Sequence, residues 1–498
     1  MLLVGGVLAA FVAGTPLVYL VLRSLERGPG FALEVATQPR TGELALRSIG
    51  LTAAVSSACL VLGIVTAWLA VRSDLPGRRW WGVLFALPLA VPSFVAAFAW
   101  LAQWQGAASF VGAFGVLTAV SYPYVMLPVA AALRLADPAQ EEAARSLGRG
   151  PVATFTAVTL RQIRPAALAG ALLVALYVLS DFGAVALLRV DTFTLGIFTS
   201  YRAAFDRTPA AVLGCLLVLI ALVVTWGESK ARGRAVVRTG PGAQRVAHTV
   251  PLRRWRPVAL LGAVLITGVA LGIPLAGVTR SVLLGRSSVN VVELAAATAS
   301  TAGIAALAAV ATTALAIPVG ILAARHRGRL VAGVELAAYA GHALPGVTVG
   351  LALVFVGIRL FPGLYQELPL LIIAYTVLFL PLAIGTVRTA VGAAPRGLEE
   401  VAGSLGASRL ATLFRVTLPQ AAPGVVAGSA LVFLICAKEL PATLMLRPTD
   451  TDTLATELWR FSSVGAYAEA GPYAAMLIVV AALPTLMLDK VLRRGARP

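Results

Sequence analysis

The sequence predicts an all-α polytopic membrane protein with about twelve transmembrane helices in two homologous parallel six-helix halves. Three observations carry that prediction: long uncharged apolar runs, clusters of basic residues in alternate gaps between them with mixed charge in the others, and an internal repeat. Of 498 residues 59% are hydrophobic and 12% charged, and the mean hydropathy is +0.88. Globular domains carry about twice that share of charge, and a soluble chain of this size has no core large enough to hide so much apolar surface.

The runs lie near 2–22, 46–71, 80–102, 108–133, 166–188, 209–226, 257–278, 291–323, 331–358, 368–392, 424–446 and 472–489. No Asp, Glu, Lys or Arg interrupts 2–22, 80–133 or 209–226. Roughly 20 apolar residues cross the hydrocarbon, so each run is long enough to span it. The first run lacks the basic flank of a cleaved leader, since no Lys or Arg precedes Arg23, and reads as a retained span.

The net charge of +18 sits between the runs. Lys230, Arg232, Arg234, Arg238, Arg245, Arg253, Arg254 and Arg256 face one acid, Glu228, within 228–256. Such a segment belongs on the cytoplasmic side. Arg72, Arg78 and Arg79, then Arg325, Arg327 and Arg329, and finally Arg493, Arg494 and Arg497 mark further inside segments. The count places both termini in the cytoplasm. The charge is thereby assigned to topology, not to nucleic acid. Cys59, Cys215 and Cys436 all fall in apolar runs without metal or disulfide spacing.

The repeat appears on shifting the sequence by 258. EEAARSLGRGPVATFTAVTLRQIRP (141–165) then falls on EEVAGSLGASRLATLFRVTLPQAAP (399–423) with 13 of 25 positions identical. Chance in this composition gives about two or three. Asp181 falls on Glu439 at the same shift, and at 253 Pro92 falls on Pro345. This yields a first half at 1–227 with an elbow near 137–165, a basic cytoplasmic linker at 228–256, and a second half at 257–498 with an elbow near 395–423. The halves are parallel repeats.

Each elbow reads as two short helices. Asp137 is a candidate N-cap with Pro138 following and Gln140 placed to close a capping box. Gly148 and Gly406 suit the left-handed residue just past a helix end. A second helix is expected from about 150 to 163. The elbow is expected to expose Glu141 and Glu142 beside an apolar stripe, in the second copy Leu410, Leu413, Phe414 and Leu418, that suits a partner's groove. Two matched elbows on one side call for a symmetric pair of partner subunits.

Glu142-Ala143-Ala144 with Gly148, and Glu400-Val401-Ala402 with Gly406 and Leu418-Pro419, resemble the coupling motif of binding-protein-dependent ABC permeases of the MetI-like, type I importer fold. Val401 replaces the central Ala, and in the first copy Arg161 stands where the motif has Pro. The resemblance implies that Glu141, Glu142, Ala144, Gly148, Glu399, Glu400, Ala402 and Gly406 couple the chain to two copies of a cytoplasmic ABC ATPase. The sequence has no G-x-x-x-x-G-K-[ST] loop, so the chain is expected to be no enzyme, and ATP and Mg are expected on separate subunits. A periplasmic or lipid-anchored solute-binding protein is the other implied partner, with membrane lipid around the chain and no nucleic acid. The expected location is the bacterial inner membrane.

SDFGAVALLRVDTFTLGIFTSYR (180–202) and AKELPATLMLRPTDTDTLATELW (437–459) resemble fused permeases of ferric-iron importers. Thiamine, phosphonate and other small solutes stay open as cargo, and a gradient-driven twelve-helix carrier is the rival class. Asp181, Lys438 and Glu439, placed about fifteen residues into their spans, are either structural ion pairs and helix anchors or part of the substrate path. Lys438 is a candidate partner of Asp181 across the pseudo-two-fold axis, and Glu439 with Asp181 a candidate acidic rim near the external mouth. Pro92 and Pro345 are candidate gate hinges or ordinary kinks. No metal-ligand cluster emerges.

Overall fold

The computed structural model describes residues 2–136, 138–203, 206–232, 249–284, 290–326, 328–339, 341 and 344–495. Asp137, Arg327 and most of the basic linker lie outside them. Among the described residues nine helices are long and apolar enough to cross a membrane. A tenth span is the pair Arg78–Ala90 and Ser93–Gln103, bent by 92°. The runs expected near 331–358 and 472–489 appear as the shorter apolar helices Gly346–Leu360 and Tyr467–Ala481.

The spatial units differ from the sequence halves. One compact unit comprises Met1–Thr41, Gly196–Val218 and Ser281–Pro498, and the other comprises Gly42–Leu195 and Leu219–Arg280. The first helix of the chain thus packs with the second repeat, and the first helix of the second repeat packs with the first. Small residues explain the choice, because association between apolar helices in lipid rests on close backbone approach.

In the first of these units the helix Leu2–Ser24 lies against Val291–Arg325. A Cβ at Gly5 would come within 2.9 Å of Pro318 Cγ, and one at Gly6 within 2.9 Å of Val334 Cγ1. The helix ends in a charged cluster. Arg23 pairs with Glu26, Arg27 with Asp206 at 2.7 Å, and Arg359 with Glu26 at 2.8 Å. Burial works against the charge on Asp206. The Thr208 hydroxyl and N–H, followed by Arg27 and Arg23, more than offset it and hold the carboxyl below its usual range.

In the other unit the helix Arg253–Leu284 packs on Ser93–Gln103. A Cβ at Gly277 would sit 2.4 Å from the Ala99 carbonyl oxygen, and the Gln103 amide donates to the Ile273 carbonyl at 2.8 Å. Gly63 and Gly170 both close on Val125, where an added Cβ would meet atoms at 2.5 and 2.6 Å. They bring Pro39–Arg72 and Pro151–Ser180 onto Pro123–Leu135. The three cysteines are free, with Cys59 and Cys436 buried.

Gly277→Val is therefore expected to destabilise this unit by about 1–3 kcal/mol through overpacking. Thermal unfolding of the detergent-solubilised chain reads it, and an unchanged midpoint would remove this contact from the account.

Candidate functional site

The elbows are built as expected at their tips and differently at their roots. The helix Pro138–Ser146 stops at Gly148, which takes φ +81°, and Arg396–Ser404 stops at Gly406, at φ +83°. The N–H of Gly148 donates to the Arg145 carbonyl at 2.9 Å and that of Arg149 to Ala144 at 3.2 Å. Gly406 donates to Gly403 at 3.0 Å and Ala407 to Ala402 at 3.0 Å. Both ends are Schellman motifs, which satisfy the last carbonyls and require the left-handed residue. The capping box expected of Asp137 and Gln140 falls on Asp137, outside the described residues; the Gln140 side-chain oxygen accepts from Gln162 at 2.8 Å.

The second helix of each elbow does not end near 163. It continues as the span, Pro151–Ser180 in one copy and Leu410–Ala437 in the other. Each contains a π-bulge at matched positions, Phe155–Thr159 and Leu413–Thr417. The bulge absorbs one extra residue where elbow becomes span, so no break is needed.

Glu141 and Glu399 are not exposed, contrary to expectation. Arg72, at the end of Pro39–Arg72, donates to Glu141 Oε1 at 3.1 Å, and the Thr159 hydroxyl donates to the same oxygen at 2.8 Å. In the second copy Arg325 donates to Glu399 Oε1 at 2.7 Å and Thr417 at 3.0 Å. The Arg72 and Arg325 side chains are 3% and 10% accessible. These arginines, read from sequence as topology markers, are the roots that hold each elbow to the preceding span. Thr159 and Thr417 sit inside the π-bulges, so one carboxylate joins elbow, bulge and span end. The matched spacing of Arg72 and Arg325 was the available signal.

Glu142 and Glu400 do point outward. Around them Leu147 and Leu405 are each 82% exposed, with Val152, Leu398, Val401, Leu410 and Phe414 also exposed. Ala144 is buried.

The residues deeper in the spans share a second duplicated design. Pro92 and Pro345 do not kink continuous helices; each precedes a new one, as the extended residue before Ser93–Gln103 and before Gly346–Leu360. Asp181 and Glu439 likewise follow helix ends. Asp181 closes Leu160–Ser180. Its Oδ1 accepts from the N–H groups of Ala184 at 3.0 Å and Val185 at 3.3 Å, and its Oδ2 from the Ser93 hydroxyl. Glu439 accepts from the N–H groups of Ala442 and Thr443, both at 3.1 Å, and from the Thr443 hydroxyl at 2.8 Å. Lys438 is the C-cap of Leu418–Ala437, its N–H turned to the Cys436 and Ile435 carbonyls. The oxygens of Asp181 thus take donors from residues of its own half.

Ser93 and Gly346 occupy equivalent places. A Cβ at Gly346 would lie 2.7 Å from Glu439 Oε1. Ser pairs with the short acid and Gly with the long one, filling one volume in two ways.

A family model described as the inner-membrane component of binding-protein-dependent transport systems matches residues 59–227 and again 316–493. The chain belongs to that family. The permease is 34% identical over 482 residues to the Fe(3+)-transport system permease protein FbpB 2 of Haemophilus influenzae, covering 95% of both chains. It is 31% identical over 229 residues to the sulfate permease CysT of Synechococcus elongatus, which spans 42% of this chain and 82% of that one. It is 34% identical over 185 residues to the molybdenum permease ModB of Mycobacterium bovis, covering 34% and 70%. The inward-facing MetNI methionine ABC transporter is 18% identical with a TM-score of 0.34, covering 41% of this chain and 96% of that one.

The two partial relatives each match less than half of the permease, as expected of single-copy chains against a duplicated one. Each of the two family matches contains one elbow, so both report the same duplication. No group of three or more His, Cys, Asp or Glu suited to a metal occurs among the described residues.

Gly346→Ser alone should force the serine against Glu439 and lower thermal stability, by about 1–3 kcal/mol. Gly346→Ser with Glu439→Asp copies the first half and should recover most of the loss. Equal stability of the single and double variants would show that the two positions do not share one volume.

Proposed function

We propose that this permease is the membrane subunit of an ATP-driven importer whose cargo is ferric iron. It works with two copies of a cytoplasmic ABC ATPase and receives cargo from a periplasmic or lipid-anchored solute-binding protein. Both elbows, and both termini, face the cytoplasm. ATP and Mg act on the ATPase subunits.

The observation that carries the coupling role is the pinned elbow. Each elbow presents exposed Leu and Val side chains with an outward glutamate, while its inner glutamate is tied to a nearly buried arginine at a span end. An exposed apolar patch rimmed by charge suits a partner's groove. Breaking a buried ion pair by removing one partner costs about 3–5 kcal/mol. The root is therefore stiffer than the contacts at the tip, and a pull on the tip moves the span instead of unfolding the elbow.

The steps of transport follow from that geometry. ATPase closure displaces the tips, Glu141 and Glu399 transmit the displacement to Arg72 and Arg325, and the spans Pro39–Arg72 and Val291–Arg325 tilt. Access alternates between the two sides of the membrane. Asp181, Lys438 and Glu439 serve this cycle as caps that keep the broken helices whole, with Pro92 and Pro345 at the breaks about which the short helices turn.

Ferric iron rests on the relative that matches nearly the whole permease, since the sulfate and molybdenum relatives cover less than half of it. Titration of the partner binding protein with ferric iron, thiamine and phosphonate tests the cargo. Ferric iron should bind and support ATP-dependent uptake of radiolabelled iron; preference for either organic solute would reassign the substrate. Uptake that persists without the ATPase would mark a gradient-driven carrier instead.

Gly148→Pro and Gly406→Pro test the coupling. Proline cannot adopt φ near +80°, and a misplaced left-handed residue costs about 1–2 kcal/mol even for ordinary side chains. Transport should fall about tenfold or more while ATP hydrolysis continues. Uptake at the wild-type rate in both variants would falsify the elbow reading.

A further inference from the structure

Beyond the transport cycle, we infer that the unit comprising Gly42–Leu195 and Leu219–Arg280 carries a binding site for the phosphate headgroup of an anionic phospholipid. The site is a cleft of about 550 Å³ lined by Asp74, Pro76, Arg78, Arg79, Trp80 and Arg256. It lies at the end of the unit that bears the elbow. The Val250 N–H donates at 2.7 Å to the carbonyl of Arg72, the residue whose side chain holds Glu141.

The cleft is a constructed feature. Ser73 and Val250 form a parallel bridge. The Asp74 carboxylate accepts from the Leu252 N–H at 2.8 Å, and the Asp74 carbonyl accepts from Arg256 at 3.3 Å. The Trp81 indole donates to the Pro76 carbonyl at 3.0 Å, which fixes the intervening loop. Gly77 takes φ +69° to turn the chain into the helix Arg78–Ala86. The loop is held from both sides by bonds that do not use the guanidinium groups of Arg78 and Arg79.

The chemistry of the lining selects an anion. Three arginines face one acid, and that acid is engaged by a backbone N–H. Among the described residues no carboxylate forms an ion pair with Arg78, Arg79 or Arg256. Guanidinium forks match phosphate oxygens better than a point charge does.

The surroundings select a lipid over a free phosphate. The cleft opens between two packed helices, Arg78–Ala86 and Arg256–Thr267. Both turn apolar side chains outward beyond it, Val83 on one and Val258, Leu261 and Leu265 on the other. Trp80 and Trp255, at the starts of these helices, are largely exposed, and tryptophan is enriched at membrane interfaces. A headgroup in the cleft would lay its acyl chains along this apolar surface. Basic pockets between membrane helices recognise anionic headgroups in this way.

The test is native mass spectrometry of the full-length permease in detergent, titrated with phosphatidylglycerol and, separately, with phosphatidylcholine. Wild type should retain phosphatidylglycerol in preference. Arg79→Gln and Arg256→Gln should each weaken that retention about fivefold, with an unchanged melting midpoint, because both side chains are exposed. Arg280→Gln, at the far end of the same helix as Arg256, should leave retention unchanged. Equal retention of the two lipids, or wild-type retention in the Arg79 and Arg256 variants, overturns the site. Displacement of phosphatidylglycerol by millimolar inorganic phosphate overturns the lipid assignment in favour of a soluble anion.

Discussion

A helix broken within hydrocarbon leaves backbone N–H groups that water cannot reach, and each one left unpaired costs several kcal/mol. This constraint shapes the inner part of both halves. Four helices start inside or beside the apolar layer, at Ser93, Gly183, Gly346 and Pro441. The chain provides for two of them with an acid one or two residues past the preceding helix, Asp181 and Glu439. Each acid reaches forward to the N–H groups three and four residues on. Charged groups in a span are rare because burial opposes them, and here the oxygens are satisfied by groups that need an acceptor. The acid and the break require one another.

The same economy operates at the elbows, where a partly buried acid again does the joining. Glu141 has three neighbours to satisfy at once: an arginine from the preceding span, a threonine in the π-bulge, and the elbow helix that carries it. A surface ion pair would contribute little at this place, because solvent screens it and the long side chains wander. Burial of Arg72 makes the pair stiff instead of strong. What matters for an element that must transmit displacement is that its partners have no alternative geometry. The outward glutamate, Glu142, has no such tie and is left to contact whatever meets the elbow.

Much of this was legible in the sequence, and the parts that were not have a common cause. The apolar runs located the spans, and the left-handed glycines 148 and 406 were correctly placed because a helix end constrains one residue locally. The duplication was legible because it is a relation within the chain. The exposure of Glu141 was misjudged because a glutamate beside another glutamate reads as surface. Only the arrival of Arg72 from nearly seventy residues away ties it down. Pro92 and Pro345 were expected to bend helices and instead precede new ones, since proline gives the same local signal in either setting. The assignment of each first helix to the other repeat's unit rests on Gly5, Gly6 and Gly277, and a glycine does not announce its neighbour.

The two halves differ in how they complete the third bond to the buried acid, and the difference bears on how motion is shared. Asp181 takes its third donor from Ser93, the first residue of the helix after the Pro92 break. The two breaks of that half are thereby tied by a direct bond. Glu439 takes its third donor from Thr443 in its own short helix, and Tyr375 joins that hydroxyl at 2.5 Å. Gly346 offers no donor and touches Glu439 only by volume. The equivalent of Thr443 in the first half is Val185, which has no hydroxyl, and the Tyr122 hydroxyl there is buried without a partner among the described residues. One half thus locks its breaks to each other and leaves a tyrosine unsatisfied. The other satisfies its tyrosine and joins its breaks by packing alone, Gly346 against Glu439 and Pro441. Two copies of one sequence design have diverged at three positions, 93/346, 181/439 and 185/443, and each change makes sense only with the other two.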